Sequence, residues 1–181
     1  MSIRIETERL YIRELLPEDD QAMFELDTDP VVHRYVGNKP LKTIEESRAV
    51  IAYIRQQYAD AGIGRWAVIE KSSGEFIGWT GFKIMRERVN KHEDFYDFGY
   101  RHLRRFWGKG LASEAARAAL DYGTGMLGIR DIYAMTDVDN GASRHILEGL
   151  GFRLMEIFPY DGNPTWRTAG QPTTWYRLQQ E

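Results

Sequence analysis

Residues 95–116 read FYDFGYRHLRRFWGKGLASEAA, and the fold turns on how this stretch changes character midway. Phe95–Arg101 alternates as a half-buried strand does, with Phe95, Asp97 and Gly99 on one face and Tyr96, Phe98 and Tyr100 on the other. From Leu111 to Tyr122 the spacing becomes helical. Leu111, Ala115 and Ala119 form one i,i+4 row and Ala112, Ala116 and Leu120 the next, so together they make a single apolar face. Glu114, Arg117 and Asp121 fall opposite and are expected to form a salt-bridge ladder. Between strand and helix lies Trp107-Gly108-Lys109-Gly110-Leu111-Ala112. Small residues there let N–H groups at a helix start come close to an anion, where the dipole also favours negative charge. Arg101, Arg104, Arg105 and Lys109 add four positive charges to the turn. Those residues suit a diphosphate cradle and equally a solvated glycine turn. No Gly-Lys-[Ser/Thr] closes the turn, so it is not a Walker loop.

The neighbouring segments extend this pattern. Arg9–Arg13 reads as a strand, and Pro17 with Glu18, Asp19 and Asp20 opens a helix running to about Asp27. Thr43 and Glu46 form a capping box for a second helix, stopped near Ala61 by Gly62. Trp66–Glu70 and Phe76–Phe82 are strands joined at Ser72-Ser73-Gly74, and the polar stretch Arg86–Asp94 is a loop. Beyond the central helix the reading is strand Ile129–Thr136, helix Gly141–Leu150, and strands Phe152–Phe158 and Thr173–Leu178. Strands outnumber single crossovers, so an α/β (α+β) fold with a mixed sheet is expected, in a single domain over 1–181. Gly123-Thr-Gly-Met-Leu-Gly128 satisfies G-x-G-x-x-G, but it follows a helix and precedes a strand. That order is the reverse of a dinucleotide fingerprint, so these glycines are expected to end the helix.

Composition narrows the function. Twenty-four basic against 27 acidic residues leave a net charge of −3, which argues against nucleic-acid binding by bulk attraction. No apolar run approaches the ~18 residues of a membrane span and Met1–Arg4 is no signal peptide, so a cytoplasmic location and no membrane partner are expected. With no cysteine there is no thiol nucleophile, disulfide or cysteine-ligated zinc. His33, His92, His102 and His145 are scattered, so no metal site is expected.

The stretch from Gly99 to Ala116 resembles the coenzyme A pyrophosphate loop of the GNAT N-acetyltransferase superfamily, [QR]-x-x-G-x-[GA]. Arg105-Phe-Trp-Gly108-Lys-Gly110 fits it literally. Trp107-Gly-Lys-Gly110-Leu-Ala112 is the preferred register, because it is similar to the branch containing ribosomal-protein N-terminal (alanine/serine) acetyltransferases. Thr7–Arg13 is similar to that branch's T-E-R-L-x-L-R opening, Phe76–Gly81 to its I-G-x-x-G strand, and Asn140–Ser143 with Gly151-Phe152 to its N-x-x-S…G-F helix. The resemblance implies a mostly antiparallel central sheet of about seven strands flanked by helices and splayed at its parallel pair. It also implies acetyl-CoA as co-substrate, held by Tyr100, Arg101 and His102 along the pantetheine and by Trp107, Gly108, Lys109, Gly110, Leu111, Ala112, Ser113 and Asn140.

Acetyl transfer needs a held donor, a polarised carbonyl, a neutral amine and a proton for the departing thiolate. The tyrosine that many members place seven positions after the Asn is Leu147 here. Ser143 is the substitute candidate acid; it is also the third residue of a helix capped by Asn140. Asp97, where members often carry Glu, is the candidate base and equally a salt-bridged carboxylate. A weak base suits an α-amine (pKa ~7.8, free in roughly one molecule in ten at pH 7) better than a lysine (~10.4, roughly one in two thousand). The expected acceptor is therefore a protein N-terminal α-amine or a small-molecule amine, attacked directly. A homodimer is left open. The rival readings are a non-catalytic acyl-CoA-binding or regulatory module and a generic phosphate binder. The Arg86–Asp94 loop and the Asp161–Pro172 segment are candidate acceptor walls. Tyr35, Trp66, Trp79, Phe82, Tyr133 and Trp166 are aromatics that could join them.

Overall fold

Eight strands, one more than expected, form one sheet among the described residues, which in this computed structural model are 3–165 and 167–179. They are β1 (Arg4–Glu6), β2 (Leu10–Glu14), β3 (Arg65–Glu70), β4 (Phe76–Met85), β5 (Phe95–His102), β6 (Ile132–Asp137), β7 (Phe152–Pro159) and β8 (Pro172–Leu178), in the order β1-β2-β3-β4-β5-β6-β8-β7. Helices α1 (Asp20–Thr28), α2 (Pro30–His33), α3 (Ile44–Ala61), α4 (Leu111–Gly125) and α5 (Gly141–Gly149) complete the chain. Every strand pairing is antiparallel except β5 with β6.

Local chemistry sets most boundaries. Thr43 caps α3 by accepting from the Glu46 amide, Glu46 returns the bond, and Gly62 ends the helix in the left-handed region at φ +69°. Two expectations change for tertiary reasons. The glycine run ends α4 as expected, at Gly125, but Gly123 takes no part in that: a Cβ there would come within 2.3 Å of the Phe82 ring, so this glycine admits an aromatic from the sheet inside the helix. Nor is there a ladder along α4. Glu114 instead accepts from Thr7 Oγ1 at 2.6 Å and Arg9 Nε at 2.7 Å, while Arg117 donates to the Gly149 carbonyl at 2.6 Å. The charged face of α4 is spent on tying down neighbouring segments.

The alternation read in β5 divides the core in two. Phe98 packs in the main cluster against Phe82 and Phe152, with ring centroids 5.1 and 5.9 Å away. Phe95 points the other way, into a second cluster with Tyr133 and Trp175 at 5.5 and 5.1 Å. β5 is thus anchored on both faces, which makes it a rigid support for whatever lies along its free edge.

Candidate active site

That free edge arises because β5 and β6 part company. Their parallel pairing consists of Tyr96↔Ile132 and Asp97↔Tyr133. Thereafter β5 stays with β4 as far as Gly78↔His102, while β6 turns to β8. Gly78 allows the close approach at the far end: a Cβ on it would meet the Arg101 carbonyl at 2.1 Å. The main-chain groups of residues 98–102 therefore border a gap on one side.

A cleft of about 280 Å³ opens at this gap, lined by Tyr100, Arg101, His102, Trp107, Gly108, Ala112, Asn140 and Ser143. At its mouth Gly108 and Gly110 adopt left-handed conformations, φ +72° and +74°, and Gly110 is the residue preceding α4. The first amide to bond back is that of Glu114, to the Gly110 carbonyl at 3.1 Å, so the preceding N–H groups of the turn point out of the helix. Four residues of the expected coenzyme set are not among the lining ones. Leu111 is buried in the core and offers only its backbone, and Ser113 is exposed. Lys109 lies over the Phe106 ring at 5.1 Å, and Gly110 acts through its conformation.

The four-charge basic turn does not materialise. Arg101 pairs with Asp27 at 2.6 Å, Arg104 with Asp29 at 3.4 Å, and Arg105 with Glu25 and Glu75. Tertiary contacts bring carboxylates from α1, the following Asp29 and the β3–β4 turn onto these arginines. What remains for an anion at this mouth is the row of main-chain amides, which fits a diphosphate, together with Lys109.

Across the gap the structure supplies a hydroxyl that sequence reasoning missed. Tyr100 reaches from β5 to α5, its hydroxyl donating to the Ser143 carbonyl at 2.9 Å and lying 3.1 Å from Ser143 Oγ. Burial pushes its phenol well above the ordinary tyrosine value, so the proton stays on oxygen. Leu147, by contrast, is buried in the core. Asn140 caps α5 as expected, accepting from the Ser143 amide at 3.2 Å. A contact between residues 43 positions apart leaves no local trace in sequence. Apart from Tyr35, already named as a candidate aromatic, the segment from α2 to Val36 was also missed; it supplies Val31, Val32, Tyr35 and Val36 to the cleft. Asp29-Pro30, an N-cap followed by a first-turn proline, was its signal.

His102 closes the far end of β5. Its carbonyl accepts from Trp107 Nε1 at 2.8 Å, and its ring is buried with Nε2 unpartnered among the described residues. Burial pushes the imidazole down to about 4 from its ordinary 6.5. The unfolded chain takes up that proton near pH 6.5 and the folded chain resists until about pH 4. Stability is therefore full above pH 6.5 and falls, by about 3 kcal/mol, as pH drops toward 4. Melting curves from pH 7 to 4.5 should show this decline, and His102→Phe should flatten it; an unchanged slope would show that the ring is solvated.

A second cavity, of about 220 Å³, also borders β5 and shares Val36, Tyr100 and Arg101 with the cleft. Asp97 lines it, with Oδ2 accepting from Arg65 Nη2 at 2.5 Å. The Trp79 ring has Arg65 5.0 Å and Arg101 5.3 Å from its centroid. Lys83 is pushed down to about 8, first by burial and then by Arg65. Of the expected walls, Asp161–Pro172 contributes Arg167, whereas no residue of Arg86–Asp94 lines the cavity. That loop docks instead on Asp161, through the Asn90 amide at 2.8 Å. Of the aromatics, Trp79 lines this cavity and Tyr35 the cleft, while Trp66, Phe82 and Tyr133 are core. Trp166 lies outside the described residues. Among the described residues no group of three or more potential metal ligands occurs, and no helix is long and apolar enough to cross a membrane.

Comparison with known proteins agrees with this geometry. Residues 9–153 match the family described as acetyltransferase (GNAT) domain. The uncharacterized N-acetyltransferase p20 of Bacillus licheniformis is 32% identical over 147 residues, 81% of this chain and 80% of that protein. The spermidine N(1)-acetyltransferase of Escherichia coli K12 is 30% identical over 144 residues, 79% and 72% of the two chains. Among solved structures, the ribosomal L7/L12 α-N-protein acetyltransferase RimL in complex with coenzyme A superposes with a TM-score of 0.78, at 16% identity over 97% of both chains.

Proposed function

The chain belongs to the GNAT acetyltransferase family and is an N-acetyltransferase, and we propose that it moves the acetyl group of acetyl-CoA onto a primary amine by direct attack. One observation carries this reading. The gap between β5 and β6 joins an anion-binding helix start at one end to a mostly apolar cavity bearing a few charged side chains at the other, with Tyr100 and Arg101 belonging to both. A donor with a diphosphate head and an extended arm fits the first part, and an amine fits the second. In support, the RimL relative of the same fold was solved with coenzyme A.

In this scheme the amine nitrogen attacks the thioester carbonyl carbon. The C–N bond forms, the C–S bond breaks, the nitrogen loses a proton and the coenzyme sulfur gains one. The edge of β5 at residues 98–102 offers main-chain groups to the pantetheine arm, and an N–H there can hold the carbonyl oxygen as its charge grows. Tyr100 with Ser143 lies at the junction, and its single hydroxyl proton turns from the Ser143 carbonyl to the departing sulfur as the C–S bond breaks. A thiol of ordinary pKa near 8.5 leaves readily, so hydrogen bonding to the thiolate suffices. Asp97 stands where a proton acceptor for the amine is wanted, with one oxygen committed to Arg65. No cysteine is present to carry a covalent acyl-enzyme.

Calorimetric titration with acetyl-CoA, followed by thiol release with a panel of amines, tests the scheme. One-to-one uptake with amine-dependent release is expected; no uptake would end it. Tyr100→Phe should then lower kcat by about 10- to 100-fold with the acetyl-CoA Kd unchanged, the loss of one hydrogen bond to a charged group. Ser143→Ala should cost less, because the Tyr100 hydroxyl also meets the Ser143 carbonyl. If neither substitution moves kcat, the rate comes from positioning alone.

A further inference from the structure

The charges lining the acceptor cavity are unequal. Arg65, Lys83, Arg101 and Arg167 face two carboxylates, Asp27 and Asp97. Both carboxylates are already engaged. Asp27 is buried and bound by Arg101 at 2.6 Å, with His33 at 3.5 Å, and Asp97 is bound by Arg65. Burial alone would raise the Asp27 carboxyl, but Arg101 and His33 outweigh it and hold the group below the ordinary range.

Arg167 is the informative member. It is partly buried, donates to the Tyr35 carbonyl at 3.2 Å and lies 5.9 Å from the Tyr160 ring centroid. No carboxylate among the described residues lies within ion-pair distance of it. The carboxylates that act on it from further away are engaged elsewhere, Asp97 by Arg65 and Asp137 by Gln171. A guanidinium in that position, planar and rich in donors, suits an incoming oxyacid. The same excess of positive charge disfavours the ammonium form of a bound amine. It therefore helps to present the neutral nitrogen that attack requires, the task for which Asp97 is poorly free.

We propose that the acceptor is a small primary amine that also bears a carboxylate or phosphate, anchored on Arg167 with its nitrogen toward the Tyr100–Arg101 junction. This rests on the acetyltransferase reading above and sets the chain apart from its polyamine-acetylating relative, since a polycation would meet like charge. A cavity of about 220 Å³ suits a small molecule.

The test compares kcat/KM at saturating acetyl-CoA for β-alanine, O-phosphoethanolamine, 3-aminopropan-1-ol and spermidine. The two acid-bearing amines should exceed the two others at least about tenfold, and their ratio tells carboxylate from phosphate as the preferred anchor. Arg167→Gln should raise KM for the acid-bearing amines by about 10- to 100-fold and leave kcat and the neutral amine nearly unchanged, with Arg167→Lys restoring most of the preference. If spermidine or 3-aminopropan-1-ol is used as well as the acids, or if Arg167→Gln affects all four alike, the anchoring role is overturned while acetyl transfer stands. Thiol release with none of them, in a protein that takes up no acetyl-CoA, would overturn both.

Discussion

Gly110→Val is expected to weaken acetyl-CoA binding about a hundredfold. Gly110 sits at φ +74°, where an L-residue costs roughly 1–2 kcal/mol and a β-branched one more. The chain can escape that strain by rotating the turn, but rotation redirects the N–H groups that precede α4. Losing even one charge-assisted hydrogen bond to the diphosphate costs about 1.5–3 kcal/mol, so strain and misdirection together account for the hundredfold. Calorimetry gives the Kd directly. Gly125→Ala is the control, because nothing lies within 4 Å of a Cβ there. A folded Gly110→Val protein that bound acetyl-CoA normally would take the turn out of the binding site. It would also leave Lys109, without an ion pair among the described residues, as the remaining feature at that mouth.

The largest loss of stability should come from Asp97→Ala. Arg65 and Asp97 have side-chain exposures of 12% and 14%, so removing the carboxylate strands a guanidinium in a poorly hydrated place. Burial already pushes the Arg65 guanidinium down and Asp97 opposes that shift. Breaking such a pair costs about 3–5 kcal/mol, which for a chain of this size is roughly 6–20 °C in Tm. The double variant Arg65→Met, Asp97→Leu should recover much of the loss, because removing both charges also removes the desolvation cost. A drop below about 2 °C for Asp97→Ala would mean that solvent screens the pair. The consequence for catalysis is practical. Lost activity in Asp97→Ala reports lost structure as well as any lost base, so the assay belongs on Asp97→Asn at temperatures where that protein is folded.

These two residues illustrate what could be read in advance. Gly108 and Gly110 were recognisable because a strand, a small-residue turn and an amphipathic helix follow one another along the chain. Each cue there acts over a few residues: period two in β5, period 3.6 in α4, and glycine where φ must be positive. The caps of α3 and α5 were legible for the same reason. The turn's charge was not. Arg101, Arg104 and Arg105 look like an anion-binding cluster in sequence, and they lose that character only because Asp27, Asp29, Glu25 and Glu75 arrive from distant segments.

Sequence by itself determined the order of strands and helices apart from β1 and α2, the alternating faces of β5 and the position of the glycine turn, since all of these follow from local conformational preference and hydrophobic period. Tertiary structure alone decided which charges are neutralised, that Gly123 continues its helix to receive Phe82, that Tyr100 meets Ser143, and that Arg167 lines the cavity with no ion-pair partner among the described residues. Coulombic and packing interactions act through space. Which partners they find depends on where β5 and β6 separate, and no local stretch of the chain encodes that.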